Sequence, residues 1–104
     1  MVILYVLSEE KTQIESIAQD LLLQHYVTTV NIDWNRDRMF LENGVLAKKK
    51  VNLLTCVTKA LLFQKIDSFI REKYPTDIPE IFTSPIINMD WDLAQSLIEN
   101  TEKI

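Results

Sequence analysis

A chain of 104 residues with one glycine, one cysteine, one histidine and three prolines is short of the residue types that punctuate folds or build reactive centres. The lone thiol, Cys56, can form neither an intrachain disulfide nor a thiolate cluster, which points to a reducing, cytoplasmic setting. The lone imidazole, His25, falls at the end of a helix-like pattern and Cys56 falls inside a strand-like one. A Ser-His-Asp or Cys-His catalytic set would have to use these two, so no catalytic set emerges and no enzyme is expected. The apolar run Val2 to Leu7 has no basic residue before it and stops at Ser8-Glu9-Glu10. It is too short and wrongly flanked for a signal peptide or a membrane span. An excess of positive charge is missing too: the net charge is -4, against a protein whose main task is neutralising nucleic-acid phosphates. Residues 1–104, with 47% apolar residues and no linker, repeat or low-complexity stretch, fit one packed domain.

What is present is a regular switching of apolar period. Val2 to Leu7 reads as a strand covered on both faces. Ser8 is suited to cap a helix with Glu9 and Glu10 in its first turn, and Ile14, Ile17, Ala18, Leu21 and Leu22 form one buried stripe. That helix should end near Gln24 or His25. β-Branched residues dominate from Val27 to Ile32, and an irregular polar stretch from Asp33 to Arg38 leads to Met39-Phe40-Leu41. Asn43-Gly44 between strand-like runs is a strong hairpin signal, because both central residues of a type I′ turn need positive φ. Val51 to Thr58 returns as a strand. Thr58 is placed to cap a second helix with the stripe Leu62, Phe63, Ile66, Phe69 and Ile70, which Pro75 stops. Ile78 to Ser84 reads as a fourth strand whose Pro79 suits its start or a sheet edge. Ile86 and Ile87 can add a short strand, and Asp90 can cap a final helix carrying Leu93, Ala94, Leu97 and Ile98.

The order β-α-β-β-α-β with right-handed crossovers makes an α+β, ferredoxin-like sandwich with an extended central hairpin and a carboxy-terminal helix. The hairpin is overlong: an arm of about 14 residues at about 3.3 Å each reaches roughly 46 Å, whereas a compact domain of this length is only about 35 Å across. It must bend or project, and a projecting hairpin is commonly paired with another copy of the chain.

Two segments, Val30-Asn31-Ile32 and Tyr74-Pro75-Thr76-Asp77-Ile78-Pro79-Glu80-Ile81, resemble signatures of the CutA divalent-cation tolerance family. The family pattern lies against this chain without a gap from about Ile17 to Pro85, matching Ile17-Ala18, Leu21, Val30-Asn31-Ile32, Gly44, Leu53-Leu54, Thr58, Pro75, Pro79-Glu80-Ile81 and Pro85. The resemblance implies a ferredoxin-like fold, a homotrimer joined by extended hairpins, and a part in divalent-cation tolerance or response to metal ions. The departures are chemical. The family Cys is Thr29, the Tyr-x-Trp is Phe40-Leu41-Glu42, the Lys before Thr is Val57 and the His before Pro is Tyr74. The thiol and imidazole that copper or zinc prefers are gone, so no metal site and no cofactor is carried over; exposed carboxylates would bind divalent ions loosely.

The resemblance leaves one candidate region, an intersubunit cleft bordered by Phe40, Glu42, Thr58 and Glu80, which would take a small ligand or a protein partner. Glu80 either lines that cleft or pairs at the subunit interface. A trimeric sensor or adaptor like the nitrogen-regulatory PII proteins is the alternative on a similar fold. The other polar features have plain structural readings beside functional ones. Cys56 reads as a small buried hydrophobe, and His25 as a cation at a helix carboxy end. Lys48-Lys49-Lys50 reads as edge protection or an anion site, and Asn88, Asp90 and Asp92 as caps rather than oxygen ligands. Trp34 and Trp91 anchor either a subunit contact or the monomer core.

Overall fold

Alternation along β1 (Val2–Ser8) buries Leu4, Val6 and Ser8 on one face and leaves Ile3, Tyr5 and Leu7 half-exposed on the other. The computed structural model, which describes residues 1–103, continues with α1 (Lys11–Leu23), β2 (Asn31–Glu42), β3 (Val45–Thr58), α2 (Phe63–Lys73), β4 (Glu80–Pro85) and α3 (Trp91–Asn100). The four strands form one antiparallel sheet in the order β2-β3-β1-β4. This is the ferredoxin-like α+β arrangement expected. Ile14, Ile17 and Leu21 of α1 and Ile66 and Ile70 of α2 pack on Leu4, Val6, Leu54 and Cys56 of the sheet. Truncating one of these fully buried leucines or isoleucines to Ala costs about 2 to 5 kcal/mol.

Only one sheet face is covered by helices, which corrects the expectation of a first strand buried on both sides. The opposite face carries Ile3, Tyr5 and Leu7 beside Phe82, and Tyr5 stacks on Phe82 with ring centroids 4.9 Å apart. The run looked continuous because both faces are apolar, although the chain itself covers just one.

The hairpin projects. Its two strands stay paired from Asn31↔Thr55 to Glu42↔Val45, whereas β1 pairs with β3 only as far as Asn52. The molecule therefore measures 48 × 29 × 20 Å with a radius of gyration of 15.0 Å, against about 13 Å for a compact domain of this length. Asn43 (φ 52°) and Gly44 (φ 78°) both adopt the left-handed conformation that the turn demands.

Several local expectations are corrected. β2 starts at Asn31 rather than Val27, and the stretch from Asp33 to Arg38 is strand, interrupted by a bulge between Asp33 and Arg36. A ribbon with both faces exposed has no apolar alternation to betray it, while Tyr26 and Val27 belong to the core instead. Ser8 ends β1 and does not cap α1. Glu10 holds the cap position without a side-chain bond, and the first turn has no acidic residue. Ser8 Oγ instead accepts from the Glu10 N–H at 3.1 Å and donates to Gln13 Oε1. Thr58 is likewise a strand residue, separated from α2 by a 3-10 turn at Ala60–Leu62. β4 begins at Glu80, after Pro79, and lies at a sheet edge as the proline suggested. Ile86 and Ile87 form no strand. Asp90 does cap α3, accepting from the Leu93 N–H at 3.0 Å.

α1 ends with an unusual choice for a chain so poor in glycine. His25 takes the left-handed position (φ 58°), its N–H bonding the Leu22 carbonyl at 3.1 Å while the Tyr26 N–H bonds that of Leu21 at 3.0 Å. This is the Schellman closure, with histidine where glycine is usual.

Candidate functional site

Where the hairpin leaves the sheet, β1 ends, α1 begins and the loop before β4 passes by. Together they enclose a polar cleft of about 300 Å³, with Leu7, Glu9, Gln13, Arg38, Lys49 and Glu80 among its walls. Two buried amides hold it. Gln13 Nε2 donates to the Asp77 carbonyl at 2.6 Å, which ties the loop before β4 to α1. Asn52, 2% exposed, donates from Nδ2 to the carbonyls of Ser8 (3.1 Å) and Glu9 (3.3 Å) and accepts from the Asn35 N–H at 3.0 Å. Asn35 has positive φ (56°) in the bulge of β2. Asn52 therefore pins the bulge to the β1–α1 turn, and Arg38 leaves the strand just beyond it.

Both cations of the cleft are paired, Arg38 Nη1 with Glu80 Oε2 at 2.6 Å and Lys49 Nζ with Glu9 Oε2 at 3.4 Å, and Glu10 and Asp77 add two further carboxylates to its walls. Glu80 is 58% exposed on its side chain, and pairs so open to water contribute about 0 to 1 kcal/mol each. The cleft can take a polar molecule that exchanges for one of these pairs. It contains no cysteine or histidine.

The four residues expected to border an intersubunit cleft do not meet within one chain. Glu80 is in the polar cleft, opposite Leu7. Phe40 lies farther out on the hairpin opposite Ala47, with Lys49 Nζ 5.1 Å from its ring centroid, and Glu42 is at the turn opposite Val45. Thr58 sits at the other end of β3, about 43 Å away at about 3.3 Å per residue. Thr58 is fully buried, and its hydroxyl donates to the Tyr26 carbonyl at 2.8 Å. It closes the core and has no surface to offer a ligand, so its place in the candidate cleft is withdrawn.

The remaining polar features resolve simply. Lys48, Lys49 and Lys50 lie where β3 has lost β1 as a neighbour. Lys48 and Lys50 pair with Asp37, whose carboxyl the hydrogen bond from Lys50 holds below its usual range. Cys56 is 4% exposed, and burial pushes its thiol up to about 12. Among the described residues no three His, Cys, Asp or Glu side chains come together as a metal site, and no helix is long and apolar enough to cross a membrane.

The sequence reading missed Asn52, Gln13 and Arg38. A signal existed for Asn52, the one amide in the otherwise apolar and hydroxyl-bearing run from Val51 to Thr58, at a position that shares the helix-covered face with Leu54 and Cys56. The Arg38–Glu80 contact carried no such signal, because it depends on the twist of the hairpin.

Comparison with known proteins agrees with this architecture along the whole chain. The sequence profile of the CutA1 divalent ion tolerance protein family matches residues 2–99. A divalent-cation tolerance protein CutA of Pyrococcus horikoshii is 24% identical over 103 residues, covering 99% of this chain and all of that one. Among solved structures, Cut A1 from Thermus thermophilus superimposes with a TM-score of 0.83 at 22% identity, over 98% of this chain and 100% of that one. CutA1 from Oryza sativa gives 0.85 at 18% identity, over 99% and 94%. A family match that runs from the first strand into the last helix shows that this chain belongs to the CutA1 divalent ion tolerance family.

Proposed function

We propose that this chain serves divalent-cation tolerance as a homotrimer assembled through its projecting hairpin, without a closed copper or zinc site in each subunit. The observation that carries the assembly is the exposed apolar surface: Met39, Leu41, Val45 and Leu46 on the hairpin are each at least two-thirds exposed. About 30 Å back along β3, the uncovered sheet face presents Tyr5 and Phe82 as a second apolar surface. Exposed apolar surface of this kind marks an interaction site, and pairing with copies of the chain also satisfies the open strand edges.

The metal side of the proposal rests on ligand chemistry. Soft metals bind the thiolate, and a thiol held near 12 inside the core gives almost none at neutral pH. The family cysteine and histidine, the potential soft-metal ligands, are Thr29 and Tyr74 here. Any response to divalent ions then runs through exposed carboxylates or through a cleft completed between subunits, with Glu80, Phe40 and Glu42 contributed by different copies. Light scattering at micromolar concentration should give three times the chain mass; a monomer mass refutes the assembly. Calorimetry should show no submicromolar zinc or copper binding, and such binding lost in Cys56→Ala or His25→Ala refutes the ligand argument.

A further inference from the structure

We infer that the polar cleft at the root of the hairpin is a site for a zwitterionic ligand of the basic α-amino acid class. Its carboxylate would sit on Arg38 and Lys49, and its ammonium groups on the carboxylates around them. The cleft is built by one chain, so the inference does not depend on the trimer. It starts from a juxtaposition that works against the ribbon: Arg38 of β2 and Lys49 of β3 are direct register partners, and both line the cleft. Side chains directly opposite in an antiparallel pair start about 4.5 to 5.5 Å apart at Cβ, and like charges there repel. The guanidinium and the ammonium are therefore close enough to converge on the two oxygens of a single carboxylate. In this chain Glu80 and Glu9 hold them one each, Glu80 from the start of β4 and Glu9 from the turn after β1.

The charge of the ligand follows from what each exchange would strand. Both ion pairs are open to water, and pairs so open are weak enough to exchange. A simple anion that took Arg38 would leave Glu80 facing the carboxylates of Glu10 and Asp77 in the same cleft. A simple cation that took Glu80 would leave the guanidinium unpaired beside Lys49. A ligand of both signs compensates every group it displaces, and a charge left unpaired is what rejects the others. The carboxylates Glu9, Glu10, Asp77 and Glu80 outnumber the two cations. A neutral zwitterion leaves that excess as it is, whereas a second ammonium reduces it. Leu7 and Ile78 supply apolar wall for the methylenes between the two ammonium groups. The site is also preformed, because Gln13 fixes the loop at Asp77 and Asn52 fixes the turn at Glu9. A volume of about 300 Å³ is at the small end of ligand sites, roughly 300 to 1,000 Å³, which suits a free amino acid.

The test is calorimetry at neutral pH and low salt with L-lysine, norleucine, cadaverine and inorganic phosphate. Norleucine keeps the amino acid head without the second ammonium, and cadaverine keeps both ammonium groups without the carboxylate. L-Lysine should bind tightest and each of the other three about tenfold or more weaker, since a hydrogen bond to a charged group contributes at least about that factor. Amide resonances of Glu9, Glu10 and Asp77 should shift on adding L-lysine, while those of α3 stay in place. Arg38→Met should weaken L-lysine about tenfold and leave cadaverine no weaker, because only the carboxylate loses its partner. Lys49→Met, with the same expected pattern, covers a failure of the first variant to fold. No heat and no amide shift at millimolar L-lysine overturns the site. Equal binding of L-lysine and any of the other probes, or L-lysine affinity unchanged in both variants, overturns the ligand class.

Discussion

Replacing Asn52 by Ala should be the most damaging single change to the base of the hairpin. The side chain makes three hydrogen bonds, two donated to the Ser8 and Glu9 carbonyls and one accepted from Asn35, in a site 2% exposed. At about 1 kcal/mol net per bond the loss is about 3 kcal/mol, and the orphaned Asn35 N–H adds to it if water cannot enter. For a domain of this size 1 kcal/mol moves the midpoint by roughly 4 to 8 °C, so thermal unfolding should fall by roughly 12 to 24 °C. Chain concentration is held constant, so that self-association does not enter the comparison. Asn52→Asp adds a sign test. The carboxylate keeps the bond from Asn35 but faces two carbonyl oxygens in a dry site, so its folded-state pKa should rise above the unfolded value of about 3.9. The deficit relative to the parent should then be smallest below about pH 4 and grow as pH rises through the folded-state pKa. A loss under about 1 kcal/mol for Asn52→Ala, or a deficit for Asn52→Asp that does not change with pH, would refute this account of the bulge.

Three further outcomes follow from single residues. Gly44→Ala should cost about 1 kcal/mol in urea unfolding, from backbone strain alone, since φ is 78° and an added Cβ meets nothing within 4 Å; a cost above about 3 kcal/mol would mean a hidden clash. His25→Gly should stabilise by about 0.5 to 1 kcal/mol, because relief of the left-handed strain at φ 58° outweighs the added freedom of the unfolded chain, and destabilisation in the same assay would point to a side-chain role. Native Cys56 should resist a thiol reagent at pH 8, where a group held at about 12 is almost wholly protonated, and react promptly once urea unfolds the chain; stoichiometric labelling within seconds in buffer contradicts its burial.

The fold was legible wherever one face of an element meets the core. The stripes Ile14, Ile17, Leu21 and Ile66, Ile70 became buried helix faces, and Asn43-Gly44 became the turn, because period and positive φ are local properties that the sequence states directly. Legibility failed where local and tertiary demands part. Ser8 and Thr58 have the chemistry of helix caps, yet the sheet claims both as the last residues of their strands and spends their hydroxyls on Gln13 and the Tyr26 carbonyl. The strand from Asp33 to Arg38 was hidden because neither face of a free ribbon is buried by its own chain. The family resemblance carried Thr58 into the candidate cleft through the identity of one residue, but an identity fixes a position in a pattern and not the direction of a side chain.

The same distinction bears on what the family membership means for this chain. The parts shared with the family, from Val30-Asn31-Ile32 through Gly44 to Pro79-Glu80-Ile81, set where strands start, turn and meet. The parts it has exchanged, at Thr29, Phe40, Glu42, Val57 and Tyr74, are side-chain chemistry on that frame. Glu80 joins the two: it opens β4, faces away from the helices opposite Leu7, and neutralises Arg38 at the root of the hairpin. An exposed pair of this sort adds little to stability, so its consequence lies in the direction it gives the ribbon and in the charge left when a ligand or another subunit displaces one partner. Glu80→Gln should therefore leave unfolding within about 0.5 kcal/mol of the parent, because surface changes away from the core cost no more. It should also free the Arg38 guanidinium in the cleft and raise the affinity for anions such as phosphate, measured by calorimetry. A large stability loss with no gain in anion affinity would mean that Glu80 is a structural keystone of the hairpin root instead.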